Sequence, residues 1–261
     1  MRPFPMRVLL SALFWFYCAA SLVVWWFAVL VPWLLITPFD RRRRFAHWYA
    51  YTWANHFHAI SPFWEIIVRG DEKVRPEQAY VMTANHESSG DILLIFALKK
   101  QYRWVSKRTN FFVPFLGWMM AMAGYVSVVR GDRGSREKMM TDCRDQLGMG
   151  NSIMIFPEGT RSTTDEMLPF KRGAFVLACE AKVPVVPVVL AGTREILPRN
   201  SLVFTMKKKI RARMEILDPV DPADFDYDAK RLLKAVRARM NDARARLKAE
   251  LAAEGAEAVL S

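Results

Sequence analysis

The sequence predicts an α/β domain that follows a pair of N-terminal membrane-anchoring helices. The run from Val8 to Phe39 contains no charged residue, and from Trp64 onward short apolar runs alternate with stretches of helical periodicity. Hydrophobic residues make up 52% of the 261 residues and nine residues are Trp, which is rich for a soluble protein of this size and indicates a membrane surface. We therefore assign residues 1–63 to the anchoring helices and residues 64–261 to the α/β domain.

The apolar run from Val8 to Phe39 exceeds the about 20 residues that a helix needs to span a bilayer. A cleaved signal peptide is the competing interpretation, because Arg2 and Arg7 resemble the charged start of such a peptide. The run is far longer than the roughly 7–15 apolar residues of a signal peptide, and its aromatic residues are typical of an anchor. We therefore expect the segment to be retained.

A basic block, Arg41–Arg44, follows the apolar run. Basic residues beside an apolar segment favour the cytoplasmic side of a membrane and attract anionic lipid headgroups. The next segment, Phe45 to Trp64, combines aromatic residues with few charges and predicts a second helix that lies at the membrane interface. Three histidines in it lack acidic partners at helical spacing and are therefore expected to be interfacial rather than catalytic: His47, His56 and His58.

Strands and helices then alternate through the domain. Apolar runs of strand length are Trp64 to Arg69, Tyr80 to Thr83, Tyr125 to Val129 and Ile153 to Phe156. Helical stretches between or after them are Asp91 to Lys100, Ser135 to Leu147 and Lys171 to Ala181. A stretch from Phe111 to Met122 is dense in Phe, Trp and Met, and its composition favours core packing and the lining of an apolar groove equally.

Three further elements are predicted in the C-terminal part. Val183 to Leu190 is apolar but contains Pro184 and Pro187, which predicts an edge or irregular strand because proline lacks an N–H. Ile210 to Leu217 alternates between apolar and charged residues and predicts a half-exposed strand. A packing helix with a charged outer face is predicted from Ala229 to Ala253, where apolar residues recur near helical spacing: Leu232, Val236, Met240 and Leu247.

The first chemical motif is the stretch from Asn85 to Asp91. It follows one apolar run and precedes another, so we expect a strand, a tight loop carrying His86, and a helix. Asp91 falls in or just before the first helical turn, where the helix dipole favours a carboxylate and its side chain can fold back toward the imidazole. A histidine held by a carboxylate is the usual form of a general base, and His86 is the only histidine with such a partner.

The second motif runs from Ile153 to Ser162. Its four apolar residues predict a short buried strand, which Pro157-Glu158-Gly159 breaks into a turn. Gly159 would allow a substrate to approach the backbone closely, and Arg161 could then bind an anion.

An NH-x4-D block followed by an FPEGTRS block resembles the glycerolipid acyltransferase family, most closely the 1-acyl-sn-glycerol-3-phosphate acyltransferases. The resemblance extends over roughly Trp64 to Leu217. It implies a mixed central sheet flanked by helices, on a membrane foot of two N-terminal helices, and we prefer a half-buried pair to a simple spanning helix. It also implies a hydroxyl of a glycerol phosphate lipid as the acyl acceptor and a thioester of coenzyme A or acyl carrier protein as the donor.

The implied chemistry agrees with the residues. His86 would remove the proton of the acceptor hydroxyl as it attacks the thioester carbonyl, while Asp91 fixes the tautomer and stabilises the imidazolium. Because a thioester is already activated, direct transfer needs positioning, a base and charge stabilisation, but no enzyme nucleophile. We therefore expect no cofactor other than the thioester co-substrate, and no metal, since His86 and Asp91 offer two ligands at most.

Six residues are candidates for substrate binding: Lys107, Arg130, Glu158, Gly159, Thr160 and Arg161. Arg161 is expected to bind the acceptor phosphate, because its planar fork matches phosphate oxygens. Glu158 would orient Arg161, another cation or a substrate hydroxyl, and Gly159 and Thr160 would supply close backbone approach and donors. Lys107 and Arg130, at the ends of apolar segments, are further phosphate ligands or solvated surface cations.

One departure from the family concerns the residues inside the first block. Many relatives have Gln-Ser followed by a bulky residue, whereas this chain has Glu87-Ser88-Ser89-Gly90. The histidine and aspartate are kept, so the chemistry should survive, but Glu87 adds a negative charge beside the base. The departure bears on which acceptor is preferred.

Charge and cysteine content limit the class of protein. Lys and Arg total 38 against 26 for Asp and Glu, so the net charge of +12 favours an anionic partner such as nucleic acid, anionic lipid or a phosphorylated substrate. The three cysteines have no metal-ligand spacing, and their odd number argues against a closed disulfide framework. A catalytic domain in a reducing compartment fits best.

Two alternative functions stay open at this point. The nearest is an acyltransferase that uses the same chemistry on another lysophospholipid or on a lyso amino-acid lipid. The other is a membrane-tethered protein that binds anionic lipid or nucleic acid, but no nucleic-acid motif accompanies the basic residues, and membrane attraction explains them more simply. We therefore expect lipid and acyl thioester partners, with acyl carrier protein as a further one and no nucleic acid, at a bacterial inner membrane with the catalytic domain on the cytoplasmic side.

Overall fold

A computed structural model describes residues 4–61, 64–196, 201–204 and 210–260. Within them, seven strands form one sheet in the order β1-β7-β6-β2-β5-β3-β4. The strands are β1 (Trp64–Arg69), β2 (Val81–Ala84), β3 (Tyr102–Lys107), β4 (Val126–Val128), β5 (Ser152–Ile155), β6 (Val185–Ala191) and β7 (Ile210–Ile216). The helices are α1 (Phe4–Ile36), α2 (Arg44–Ile60), α3 (Gly90–Phe96), α4 (Leu116–Met122), α5 (Arg133–Gly148), α6 (Gly173–Ala181), α7 (Thr193–Ile196) and α8 (Ala229–Leu260).

The sheet is mixed, because β6 and β7 pair antiparallel while the other neighbours pair parallel. The α/β class and the mixed sheet flanked by helices are therefore confirmed. The strands β2, β5, β3 and β4 all run in one direction, so their carboxyl ends lie along one edge of the sheet, where α/β proteins commonly place their ligands. Both chemical motifs begin at that edge, directly after β2 and β5.

The prediction that the proline-containing run is an edge or irregular strand is wrong. The run forms β6, an interior strand between β7 and β2, and all seven of its residues are buried. The Pro187 carbonyl points toward β7 and accepts from the Leu217 N–H at 2.9 Å. The position of the missing Pro187 N–H therefore also points toward Leu217, which lies just beyond the end of β7 at Ile216. Proline is tolerated because it removes only a bond at the end of the ladder.

The predicted half-exposed strand, Ile210 to Leu217, is also more buried than its alternating sequence indicates. It forms β7, inside the sheet, and five of its seven residues are buried. Arg213 is 2% exposed and its Nη2 lies 2.5 Å from Glu254 Oε2 on α8. A charged side chain can face inward here because a carboxylate from a distant helix pairs with it.

Helices cover both faces of the sheet. One core cluster combines the sheet with α5, α6 and α8, and the other combines it with α2, α3 and α4. The predicted packing helix is confirmed as α8, and its four periodic apolar residues are fully buried: Leu232, Val236, Met240 and Leu247.

The two N-terminal helices form an antiparallel hairpin. The Phe14 and Phe57 ring centroids lie 5.6 Å apart, and those of Trp25 and Tyr49 lie 4.9 Å apart. By length and composition, α1 is the one helix of the described part of the chain that could cross a membrane. Many of its apolar side chains are exposed, and Phe16 reaches 74% exposure, so α1 presents a continuous apolar surface to its surroundings.

The aromatic and Met-rich stretch divides between two environments. Met119 and Met122 on α4 belong to the core beneath the sheet. Trp118 is 47% exposed and lies 5.2 Å, centroid to centroid, from Trp26 of α1. The methionines therefore pack in the core, whereas the tryptophan extends the apolar surface that begins on α1.

His47 is not an interfacial residue, because it is completely buried between α2 and the domain. Its Nε2 lies 3.0 Å from the Lys100 carbonyl and must carry the proton, so Nδ1 accepts from the Tyr125 hydroxyl at 2.9 Å. Burial and the nearby positive charge of Arg103 lower the pKa of His47 to about 3.

This lowered pKa predicts a loss of stability in acid. The unfolded chain binds a proton at His47 near pH 6.5, whereas the folded chain stays neutral until the pH falls to about 3, so stability is lost throughout that window. Between about pH 7.5 and pH 5 the free energy of unfolding should fall by about 2 kcal/mol more in the native chain than in His47→Gln. Thermal unfolding in detergent at several pH values measures this, and equal pH dependence in the two proteins would contradict it.

Candidate active site

The loop that carries His86 joins the carboxyl end of β2 to the start of α3. Asn85 fixes its first residue, because Nδ2 donates to the Leu190 carbonyl at 3.0 Å and Oδ1 accepts from the Leu190 N–H at 2.8 Å. The Asn85 amide therefore continues the pairing of β2 with β6 beyond Ala84 and Val188. A side chain that both donates and accepts is needed there, which explains the asparagine before the histidine.

Asp91 holds the imidazole from a fully buried position in the first turn of α3. The His86 Nδ1 lies 2.8 Å from Asp91 Oδ2, which also accepts the backbone N–H groups of Glu87 at 2.6 Å and Ser88 at 2.9 Å. The Thr193 hydroxyl donates to the other carboxylate oxygen, Oδ1. Four donors therefore fix the carboxylate, and the carboxylate fixes the imidazole.

One ring nitrogen of His86 remains available. Since a carboxylate accepts, Nδ1 is the donor in the bond to Asp91, and Nε2 carries the lone pair of the neutral ring. Nε2 forms no hydrogen bond to any residue that the structure describes. The arrangement is that of a general base with its orienting carboxylate in place.

An aromatic stack supports the imidazole from the second motif. Phe156, directly after β5, lies parallel to the His86 ring with centroids 3.9 Å apart and an interplanar angle of 14°. Trp104 of β3 also stacks on Phe156, with centroids 5.4 Å apart. The ring plane of His86 is therefore set by neighbouring strands as well as by Asp91.

Three hydrogen bonds join the two motifs. Glu158 Oε1 accepts from the His86 N–H at 2.8 Å, and the Ser162 N–H donates to the His86 carbonyl at 2.8 Å. Arg161 Nη1 donates to the Ser89 hydroxyl at 2.8 Å. The histidine and the arginine, distant in sequence, are thus held in one unit at the edge of the sheet.

Glu158 has a different environment from the one we predicted. It is 3% exposed, and its second oxygen accepts from the Leu168 N–H at 2.8 Å, so two backbone amides occupy its carboxylate rather than Arg161. Burial raises the pKa of Glu158, and the two amide hydrogen bonds partly oppose this rise. Its role in the structure is to hold the His86 loop against the second motif.

Comparisons with known proteins identify the domain. Residues 65–191 match the sequence model of a family described as Acyltransferase. The 1-acyl-sn-glycerol-3-phosphate acyltransferase of Chlamydomonas reinhardtii is 40% identical over 172 residues, which cover 65% of this chain and 51% of that protein. A chloroplastic enzyme of the same name from Brassica napus is 38% identical over 172 residues, covering 65% and 49%. Residues 65–191 therefore form an acyltransferase domain.

A solved structure agrees with this assignment over nearly the whole chain. The 1-acyl-sn-glycerophosphate acyltransferase PlsC from Thermotoga maritima superposes with a TM-score of 0.79 and 26% sequence identity, covering 94% of this chain and 97% of that one. By contrast, the chain spans about half the length of the curated relatives that it matches, at 51% and 49%.

The remaining predicted cations of the acyltransferase domain lie along the same edge of the sheet. Lys107 ends β3 and pairs in register with Val128 at the end of β4, and Arg130 follows shortly after. Both side chains are exposed, and neither forms an ion pair with a described residue. Thr160 is exposed and Arg161 half-buried beside them, so positive charge without a protein carboxylate partner collects at the edge that carries His86.

Gly159 has a φ of 73°, which favours glycine, and its bare backbone is covered by a lysine. A Cβ at Gly159 would lie 2.5 Å from the Nζ of Lys171, so the ammonium packs directly over the glycine. The sequence places Lys171 at the start of a helix and gives no sign of this contact, because the residue approaches only after the intervening loop folds back.

Glu87, the departure from the family pattern, is paired rather than free. Its Oε1 accepts from Arg244 Nε at 2.6 Å and also from Arg244 Nη2, and the two side chains are 5% and 8% exposed. Arg244 lies on α8 and also donates to the Asp165 carbonyl at 2.7 Å. The negative charge of Glu87 beside His86 is therefore neutralised by the C-terminal helix, and the ion pair connects the His86 loop to α8.

Proposed function

We propose that this chain is a membrane-bound acyltransferase that moves a fatty acyl group from an acyl thioester to the sn-2 hydroxyl of lysophosphatidic acid, giving phosphatidic acid. The observation that carries the proposal is the His86–Asp91 pair, which leaves Nε2 unbonded within the described structure and is joined through Ser89 to Arg161. A base and a guanidinium held in one unit suit an acceptor with a hydroxyl and a phosphate. The names of the relatives support the same acceptor.

The reaction follows from this geometry. His86 Nε2 takes the proton of the acceptor hydroxyl as the oxygen attacks the thioester carbonyl. The tetrahedral intermediate collapses with cleavage of the carbon–sulfur bond, and the imidazolium returns the proton to the departing thiolate. Asp91 stabilises the imidazolium and keeps Nδ1 as the donor throughout. The thioester of coenzyme A or acyl carrier protein is the co-substrate, and no step requires another cofactor.

Arg161 binds the acceptor phosphate in this proposal. The Ser89 hydroxyl occupies Nη1, and a guanidinium has further N–H donors with which to meet phosphate oxygens. Lys107 and Arg130 add positive charge farther along the edge. Gly159 and Thr160 let the substrate approach the backbone closely beside Arg161 and supply hydrogen-bond donors there. The fixed Arg161 orients the phosphate, so the hydroxyl of the glycerol unit is presented to His86 in one geometry.

The experiment that tests the function is acyl transfer by the detergent-purified chain. Lysophosphatidic acid and a long-chain acyl-CoA should yield phosphatidic acid, and the same acceptor with an acyl carrier protein thioester compares the two donors. Lysophosphatidylglycerol in place of lysophosphatidic acid tests the acceptor. Preferential acylation of another lysolipid would overturn the acceptor assignment, and inactivity with every donor and acceptor would overturn the acyltransferase proposal itself.

Replacing Arg161 with alanine should lower kcat/KM for lysophosphatidic acid by about 10- to 100-fold, because charge-assisted hydrogen bonds to the phosphate are lost. The corresponding loss with 1-acylglycerol, which lacks the phosphate, should be small. Arg231→Ala is the matched control, since Arg231 is exposed on α8 and pairs with Asp226. Equal losses of activity with both acceptors would show that Arg161 supports the loop instead of binding phosphate.

The N-terminal helices anchor the domain in this proposal. The exposed apolar face of α1 contacts lipid, and the basic loop before α2 lies at the cytoplasmic headgroup level of a bacterial inner membrane. The exposed Trp118 beside α1 places the edge of the domain at the same surface, where a lysolipid acceptor resides.

A further inference from the structure

A strongly basic pocket lies at the edge of the sheet opposite the His86 loop. It encloses about 130 Å³ and has five cationic lining residues: Arg42, Arg44, Arg75, Lys99 and Lys100. Gln101 and Ser152, which begin or precede β3 and β5, line its floor. The pocket is therefore at the amino ends of the strands whose carboxyl ends carry the acyltransferase motifs, and it is separate from the catalytic site.

The residues that line the pocket carry positive charge and no negative charge. No Asp or Glu lines it, and none of the five cations forms an ion pair with a described residue. The carboxylate of Asp40 does not line the pocket, and its Oδ2 accepts from the Phe45 N–H of α2 at 2.8 Å. Like charges confined together repel one another, so an anion in the pocket would be strongly favoured.

A buried arginine behind the pocket adds to this field. Arg103 Nη2 donates to the Arg42 carbonyl and lies 3.4 Å from Asn151 Oδ1, while its Nε has no hydrogen-bond partner in the described structure. Burial lowers the pKa of Arg103 to about 10, the nearby carboxylate of Asp40 partly opposes this, and the positive charges of Arg43 and Arg44 are smaller lowering causes.

Two residues that line the pocket, Lys99 and Gly150, have a positive φ. Lys99 has a φ of 52°, in the left-handed region that glycine or asparagine normally occupies at the end of a helix. Glycine would adopt this backbone conformation without strain, so Lys99 can be replaced by glycine without distorting the chain. Gly150 has a φ of 78° and lies against the Arg42 guanidinium, whose Nε donates to the Met149 carbonyl at 2.6 Å.

We propose that this pocket binds the phosphate of an anionic phospholipid headgroup. Its volume of about 130 Å³ equals roughly four water molecules, enough for one phosphate group and its nearest waters. Arg42 lies in the loop that follows α1, Arg44 begins α2 directly after that loop, and Phe39 in the loop is 88% exposed. The pocket therefore sits where an apolar anchor meets basic side chains, which is the level of lipid phosphates in a membrane.

Lipid binding to the detergent-purified full chain tests the proposal without any acyl donor. Short-chain phosphatidylglycerol should raise Tm with a saturable concentration dependence, whereas short-chain phosphatidylcholine and inorganic phosphate should not at the same concentrations. Equal stabilisation by inorganic phosphate would show that the pocket takes free phosphate and would overturn the lipid assignment. Because no acyl transfer is measured, the result is independent of the proposed enzymatic function.

Lys99→Gly is the decisive variant. It removes one charge while relieving the left-handed backbone, so Tm without lipid should stay the same or rise, yet the apparent Kd for phosphatidylglycerol should rise about 10-fold. Lys182→Gly is the matched control, because Lys182 is an exposed helix-terminal lysine that also has a φ of 52° but lies outside the pocket. Its lipid affinity should be unchanged.

A second variant, Arg75→Gln, tests the pocket from a different side. Arg75 is exposed and lies outside both acyltransferase motifs, so its loss should weaken phosphatidylglycerol binding without altering kcat/KM for lysophosphatidic acid in detergent. Native lipid affinity in both Lys99→Gly and Arg75→Gln would overturn the proposal. A selective rise of KM for lysophosphatidic acid would instead show that the pocket serves the acceptor site, which also overturns it.

Discussion

Replacing His86 with alanine is expected to lower kcat for acyl transfer by about 10³-fold, without a comparable change in stability. A general base contributes about 10²–10⁴-fold to a rate. Among the described residues, we identify no second side chain held in position to take the proton in place of His86. The loss should appear in kcat with both lysophosphatidic acid and 1-acylglycerol, since the base acts on the hydroxyl that the two acceptors share. Steady-state rates at saturating acceptor measure the effect.

Asp91→Asn is the informative companion to this variant. The amide keeps the size of the carboxylate but can no longer serve as an acceptor for all four donors, including His86 Nδ1 and the Thr193 hydroxyl. The rate should therefore fall while the histidine is still present. His58→Gln serves as the control, because His58 lies on α2 outside both motifs and its Nε2 bonds the Leu93 carbonyl of α3. Activity that persists in His86→Ala would refute the mechanism, whatever the companion variants show.

The contact between His86 and Asp91 could be predicted from sequence because its geometry is local. His86 and Asp91 belong to one loop and the first turn after it, so a strand, a turn and a helix start already bring them within reach of each other. Arg161 and Glu158 could be placed on the same edge only through the family resemblance. The hydrogen bonds of Glu158 to the His86 and Leu168 N–H groups were not predicted, because they depend on how the backbone of other loops folds around its carboxylate.

Strand position in the sheet was harder to predict than strand existence. Two prolines, one before β6 and one within it, predicted an edge strand. A missing N–H disrupts the sheet only if a neighbouring strand has a carbonyl opposite it, and this depends on where the neighbouring strand ends. Similarly, the alternating charges of β7 predicted solvent exposure, yet Arg213 is buried against Glu254 from the end of α8. Both errors concern partners that are distant in sequence, and a local pattern carries no information about them.

Truncating Arg244 is the second change for which we expect a large effect. Glu87 and Arg244 form an ion pair with side chains 5% and 8% exposed, so Arg244→Ala would leave a buried carboxylate without its charge partner, next to His86. Removal of one partner of a buried pair costs about 3–5 kcal/mol. We expect the free energy of unfolding to fall by this amount and the rate of acyl transfer to fall with it, because the displaced carboxylate disturbs the loop that holds the base.

The same helix supplies a matched control. Arg231 on α8 pairs with Asp226 at 2.6 Å, and the two side chains are 56% and 84% exposed, so Arg231→Ala should cost at most about 1 kcal/mol. Denaturant unfolding of the two variants in detergent compares a buried pair with an exposed one on one element. A loss in Arg244→Ala no larger than that in Arg231→Ala would show that the buried pair contributes little.

A double variant separates the pair from its parts. Glu87→Gln combined with Arg244→Met removes both charges, and because no unpaired buried charge remains, much of the stability lost in Arg244→Ala should return. The glutamine would also restore the residue that is common at this position in the family pattern. Recovery of stability together with activity would mean that Arg244 is present to neutralise Glu87. Recovery of stability alone would mean that the charged pair itself positions the His86 loop for transfer.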